Sequence, residues 1–388
     1  MEEQRLEFSF LRPCVVHVVA AGGMYGLERM VLALLPALRT RGVDARLLIL
    51  NGPADPNAEL GVRLAAEGVP VAFAATGPRL GPGDLANVWS TLARWQPAIV
   101  HTHGYKATIL AGAVGLMQRR RTMKTQHAEA LYYAKLAKRL RIEGLVARRF
   151  DRVVAVSEGV RREQLARGFR EDRIRVIPNG ISPPVIGNQS RAKGSTTARL
   201  LYLGRLVEGK DVHLLIDAVR RLDAEGLSVE LLIAGDGPTR SELEAQAASG
   251  RLRAGTIRFL GFVSEPEKVL AEADVLVLPS QHEGLPISVL EAMACGIAIV
   301  ASNVGGIGLA IRHQREGLLV PAGRQEPLEA AIRRLVLDPT LRAKLGTRAR
   351  KRFQESWTAG IMADEYAALY AELITGRTEL RTGAAVTG

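Results

Sequence analysis

Little cysteine, no long apolar run and no leader-like start narrow what this chain can be. Cys14 and Cys295 are the two cysteines in 388 residues, too few for a disulfide framework. Each lies in an apolar segment, where a thiol packs as a small buried hydrophobe in a reducing compartment. No apolar run approaches the ~20 residues that span a bilayer. The opening MEEQRLEFSFLRP is acidic and lacks the basic, apolar and small-residue succession of a secretory leader. The expectation is a cytoplasmic protein. Short-period repeats and low-complexity segments are missing too. What is present, 47% apolar and 24% charged residues, is the composition of a soluble globular chain long enough for two cores.

The net charge of +12 is unevenly spread, because residues 119–152 hold eleven Lys or Arg, Lys124 among them, against three acidic residues. Such density suits a polyanion, whether nucleic acid, an anionic membrane face or a phosphorylated acceptor, or else it is a solvated helix face. Within it, LYYAKLAKRLRIEG brings Lys135, Lys138 and Arg139 close together on a helical face, without a clean apolar stripe opposite.

Short β-branched runs alternate with amphipathic stretches from CVVHVV at 14 to RIRVIP at 173. Residues 182–198, SPPVIGNQSRAKGSTTA, then read as a linker, and the alternation restarts from ARLLYLG to GLLVP at 317. Unbroken apolar strands between helices indicate parallel sheets covered on both faces. The fold class is therefore α/β, two doubly wound domains facing each other across a cleft. Ligands of such sheets bind beyond the carboxyl ends of the strands, so chemistry is sought in the loops there.

In the first half those loops are AAGGMYGLERM, HTHGYK and TQHAEA. Gly22, Gly23 and Gly26 let a backbone approach a ligand and open a helix whose N–H groups can face an anion, or make a tight turn. Their spacing is not a dinucleotide fingerprint. His101, His103 and His127 raise a metal reading, but no accompanying carboxylate pattern supplies a further ligand. His127 reads better as a strand-end residue that bonds or handles a proton over a substrate.

In the second half, LYLGRLVEGKDVHLL gives Gly204, Gly209 and Lys210 P-loop spacing, but Asp211 stands where a hydroxyl should hold magnesium. What survives is Arg205 and Lys210, a planar fork and a point charge, which suit a diphosphate or a surface ion pair. Gly235 in IAGDGP, and Phe262 and Val263 in FLGFV, lie at further strand ends. In HEGLPISVLEAMACG, Pro286 fits the first turn of a helix over 286–295 and Gly296 its stop. Glu283 then sits in the entering loop and Glu291 within an apolar helix. A carboxylate there needs a donor, from an internal salt bridge or from a ligand.

VVAVSEGV, VIPNGI, YLGRL followed by Lys210, IAGDGP, FLGFV, ADVLVLPS, EGLPISVLEAMACG and GLLVPAG, in that order, resemble the retaining glycosyltransferases of family 4 (glycosyl transferases group 1), which have the GT-B fold. The resemblance runs over nearly the whole chain and is strongest over 153–321. It implies an acceptor-binding domain at 1–181, a linker at 182–198 and a nucleotide-sugar-binding domain at 199–356. A C-terminal helix at 357–375 would pack back on the first domain, ahead of a flexible tail at 376–388. By the same resemblance Arg205 and Lys210 hold the diphosphate, His127 reaches the donor sugar, and Gly23 covers the reacting centre. Glu283 with Gly284, Leu285 and Pro286 holds sugar and phosphate, Glu291 accepts from the ribose hydroxyls, and Gly235, Phe262 and Val263 border the nucleotide.

The implied reaction moves a sugar from a UDP- or GDP-sugar, as co-substrate, to a glycan, glycolipid or lipid-linked hydroxyl, with retention. No metal or other cofactor is implied, and the chain has no Asp-X-Asp motif. A nucleic-acid partner is not expected; peripheral contact of residues 119–152 with an anionic membrane is one reading of that region, and a solvated surface is the other. The chain departs from the family pattern at Leu309, at Ser182 and over Ile297–Ile299, where Glu, an acidic residue and a proline are usual. The alternatives are a degenerate nucleotide-sugar-binding protein or a nucleotide-sugar epimerase of the same shape.

Overall fold

A computed structural model describes residues 12–20, 24–51, 58–77, 81–127, 137–184, 197–249, 252–253 and 255–376. Their strands form two parallel sheets. The first contains β1 (Cys14–Val19), β2 (Asp44–Ile49), β3 (Val71–Phe73), β4 (Ile99–His103), β5 (Arg121–Gln126), β6 (Arg152–Ala155) and β7 (Ile174–Val176), in the order β3-β2-β1-β4-β5-β6-β7. The second contains β8 (Ala198–Leu203), β9 (Val229–Ala234), β10 (Ile257–Gly261), β11 (Val275–Leu278), β12 (Ala298–Ser302) and β13 (Leu318–Val320), in the order β10-β9-β8-β11-β12-β13. The strand order reverses beside β1 and beside β8, which puts a crevice at the carboxyl ends of both sheets.

Helices cover the faces of these sheets for the reason seen in the pattern. The helix Gly26–Arg39 buries Met30, Val31, Leu34, Leu35 and Leu38 at helical spacing. VLVL of β11 is buried at every position, as a central parallel strand requires. The chain returns to the first sheet at Thr358, where the Ile181 N–H donates to the Trp357 carbonyl and the Ala359 N–H to the Ile181 carbonyl. The helix Ala359–Thr375 then lies against the first sheet, with Arg41 paired to Asp364 and Arg175 to Glu372.

Several sequence expectations change. Pro286 is extended and caps the helix, which runs Ile287–Cys295, one residue later than expected; Gly296 closes it in the left-handed conformation. Cys14 and Cys295 are only partly buried. His101 and His103 lie within β4 and not in the loop after it, both buried. Lys124 leaves the basic surface: it is buried in β5 against Glu143, whose other oxygen accepts from Arg167. Residues 185–196 of the expected linker and 377–388 of the expected tail lie outside the described residues, as do Lys135, Gly22 and Gly23. No described helix is long and apolar enough to cross a membrane.

Candidate active site

A cavity of about 580 Å³ lies between the two sheets. It is lined by His127, Arg205, Lys210, Gly235, Phe262, Val263, Glu283, Gly284, Leu285, Pro286 and Glu291, and also by Tyr25, Arg29 and Asn179. Of the residues that the resemblance assigned to the site, all line this cavity except Gly23, which is outside the described residues.

Glycines decide how the loops meet there. A Cβ on Gly284 would lie 2.2 Å from the His127 carbonyl oxygen, so only glycine lets the Glu283 loop pass under the end of β5. A Cβ on Gly235 would lie 1.8 Å from the Gly204 carbonyl, so that residue is explained by the packing of two strand-end turns. The Asn179 side-chain amide donates to the Leu285 carbonyl at 2.9 Å, a second tie between the halves.

Both glutamates have protein partners. Lys210 Nζ donates to Glu283 Oε1 at 2.6 Å, and Ser280 donates to the same oxygen at 2.8 Å. Glu291 Oε1 accepts from Arg29 Nη1 at 3.1 Å, while Arg29 Nη2 donates to the Ser264 carbonyl at 2.7 Å. Arg29 comes from the opposite half, so Glu291 takes the salt-bridge alternative, across the cleft. Burial nevertheless raises the Glu291 pKa above its ordinary value, with Arg29 opposing and Glu267 adding to the rise. A helical arginine after a glycine loop carries no sequence sign of a partner 262 residues away.

Arg205 is exposed, its guanidinium 5.4 Å from the centroid of Tyr25, and Tyr25 meets Phe262 edge-on at 5.5 Å. At the cleft-facing start of helix Gly26–Arg39, Glu28 accepts from the Tyr25 N–H at 3.2 Å. His127 follows β5 directly, its Nε2 3.0 Å from His103 Nδ1, and burial lowers its pKa to about 3. At neutral pH it meets the cavity uncharged.

Arranged this way, the cavity offers Arg205 and Lys210 from the second half, neutral His127 and Arg29 from the first, and the buried carboxylate of Glu291. Residues 24–183 match the family model described as Glycosyltransferase Family 4, and residues 188–352 the one described as Glycosyl transferases group 1. A glycogen synthase of Mycobacterium tuberculosis is 31% identical over 288 residues, 71% of this chain and 69% of that protein. A phosphatidyl-myo-inositol mannosyltransferase of the same species is 30% identical over 320 residues, 79% of this chain and 82% of its own length. The crystal structure of Anabaena HepE in complex with UDP-glucose shares the fold, with a TM-score of 0.78 at 21% identity, covering 94% of this chain and 100% of that one.

Proposed function

This chain belongs to the family 4 glycosyltransferases, of GT-B fold, and from that premise we propose that it transfers a sugar from UDP- or GDP-sugar to a hydroxyl, with retention and without a metal ion. The observation that carries the reading is the cleft wall, where Arg205, the Lys210–Glu283 pair and Glu291 line one cavity. Arg205 and Lys210 stabilise the charge that develops on the departing diphosphate, the task a divalent cation would otherwise perform. Lys210 keeps Glu283 while doing so, since an ammonium has three donors. Glu291 exchanges Arg29 for the ribose diol, and Phe262 borders the base. HepE, solved with UDP-glucose, favours a uridine donor.

In the transfer, the bond from the anomeric carbon to the phosphate oxygen breaks and the acceptor oxygen bonds to that carbon from the same face. The acceptor's proton passes to the departing phosphate oxygen. No side chain is a nucleophile on this path, which differs from retention through a covalent carboxylate. The acceptor class is a glycan, glycolipid or lipid-linked hydroxyl, in keeping with relatives named for glycogen and for phosphatidyl-myo-inositol.

A peripheral membrane contact belongs to the same reading. On the helix Ala137–Ala147, Ile142 is 43% and Leu145 59% exposed, three residues apart on one face. Arg139, Arg141, Arg148 and Arg149 are exposed around them. Sedimentation with phosphatidylglycerol vesicles at low salt tests it, and a protein that stays in the supernatant has no such surface.

The donor reading is tested by thermal shifts with UDP, GDP, ADP and CMP in chelator. A nucleotide at 100 times its Kd stabilises by about 2.7 kcal/mol. One nucleoside diphosphate should raise the melting point of the wild type and not of Glu291→Ala. No shift with any of the four would overturn the assignment.

A further inference from the structure

Behind His127 the first sheet buries a row of side chains that the transfer does not touch. His127 Nε2 lies 3.0 Å from His103 Nδ1, and His103 Nε2 lies 3.1 Å from His17 Nδ1. His17 Nε2 is 3.2 Å from the Tyr370 hydroxyl, which is 2.8 Å from His101 Nδ1. His101 Nε2 is 2.8 Å from Thr125 Oγ1, and that hydroxyl is 2.9 Å from the Tyr366 hydroxyl. The chain thus runs from the cleft, across β4, β1 and β5, to two tyrosines on the helix Ala359–Thr375.

Its polarity follows from satisfaction. Tyr366 is buried and makes its hydrogen bond to Thr125. A buried phenol that failed to donate would carry an unmade hydrogen bond, so Tyr366 donates and Thr125 accepts. Thr125 then donates to His101 Nε2, which puts the His101 proton on Nδ1, facing Tyr370. Tyr370 accepts it and donates to His17 Nε2. His17 accordingly donates from Nδ1 to His103 Nε2, and His103 from Nδ1 to His127 Nε2. Each neutral imidazole has one N–H to give, so one choice at Tyr366 propagates through every member.

We propose that Tyr366, Thr125 and Tyr370 are positioning residues that set the tautomer of His127 through His101, His17 and His103, so that His127 meets the cleft as an Nδ1–H donor and not as a base. Burial holds the histidines neutral, His17 down to about 3 and His101 and His103 well below the ordinary value, as the chain requires. A fixed N–H donor suits a sugar hydroxyl or carbonyl-type oxygen; that use rests on the donor reading above, whereas the tautomer itself does not. His17, His101 and His103 also offer nitrogens within 4.8 Å of one another, the spacing of a metal site. All six of their ring nitrogens are already hydrogen-bonded, so a metal would have to dismantle the chain.

The test is the long-range proton–nitrogen NMR spectrum of ¹⁵N-histidine-labelled, ligand-free protein, with His127→Gln used to assign the resonance. The wild type should show His127 protonated at Nδ1 alone. Tyr366→Phe should show both tautomers at nearly wild-type melting temperature, and Thr125→Val should show both at a lower one, because it leaves the buried Tyr366 hydroxyl without a partner. The same variants should lower kcat by roughly 2- to 10-fold, the worth of one hydrogen bond at the substrate. An Nε2–H tautomer in the wild type would overturn the proposal, as would an unmixed Nδ1–H in both variants. Stoichiometric zinc with metal-shifted nitrogen resonances at His17 would overturn it as well. Because the spectrum is read without ligand, it can fail while nucleotide binding stands, and hold where binding fails.

Discussion

The two sheets share a topology but not an interior. Strands of the first bury His17, His101, Thr102, His103, Lys124 and Thr125, whereas β11 and β12 of the second bury aliphatic side chains with Ser302 at one end. In the second sheet Arg205, Lys210 and Glu283 stand in the loops beyond strands whose central members, β11 and β12, are almost wholly apolar. The first carries polar groups through its core, and all of those named are matched there. A polar interior is costly unless satisfied. The difference teaches that one fold can carry charged strand-end loops on an apolar platform and face them with a platform whose core is largely hydrogen-bonded.

The largest effect expected is on the stability of that polar core. Glu143→Ala leaves Lys124 buried without its carboxylate and should cost about 3–5 kcal/mol in urea unfolding. The double change Lys124→Met with Glu143→Leu, which gives the first sheet the character of the second, should recover most of the loss. A double variant as unstable as the single one would mean that the ion pair is needed by the fold itself.

Next come the loops of the second sheet. Arg205→Ala and Lys210→Ala should each cut turnover by about 10²-fold, with unfolding unchanged in Arg205→Ala and some stability lost in Lys210→Ala, which leaves Glu283 without its cation. Near-normal rates in both would remove the diphosphate role from that platform.

Smaller effects belong to the contact between the halves. Arg29→Ala frees Glu291 and should tighten nucleotide binding by up to about fivefold in calorimetry, the scale of a partly exposed ion pair; weaker binding would mean that Arg29 also holds the ligand. Smallest is the pH effect of Glu291→Gln without nucleotide. The folded-state pKa of Glu291 is raised, so its protonated form is favoured in the fold, and that contribution is lost as pH rises past the ordinary 4.5 and through the raised value. The Gln variant should therefore melt slightly above the wild type at pH 8 and level with it near pH 4. A variant that melts lower at pH 8 would show Arg29 outweighing burial.

Much of the cavity wall was legible because its signals are local. A glycine turn, a cation or a carboxylate at a strand end is marked by its neighbours in sequence, and a parallel sheet gathers such ends into one row. Arg29, Tyr25 and Asn179 escaped, since each acts on a partner in the other half. His17, a lone histidine in CVVHVV, reads as core, and core is where it lies. What could not be read is that β1 and β4 pair in a register placing His17 opposite His101. Lys124 misled for the same reason: in a run of cations nothing distinguishes the one that points inward.

By itself the sequence determined two parallel α/β units, the order of their strands' loops and the residue types at the cleft, because alternation and turn chemistry act over a few residues. Tertiary structure alone decided which charges pair across the cleft, that Lys124 is internal, and that four histidines form a chain to the tyrosines of a returning helix. Those outcomes depend on strand order and register, which bring side chains as much as 353 positions apart within hydrogen-bonding distance, and no local pattern encodes that proximity.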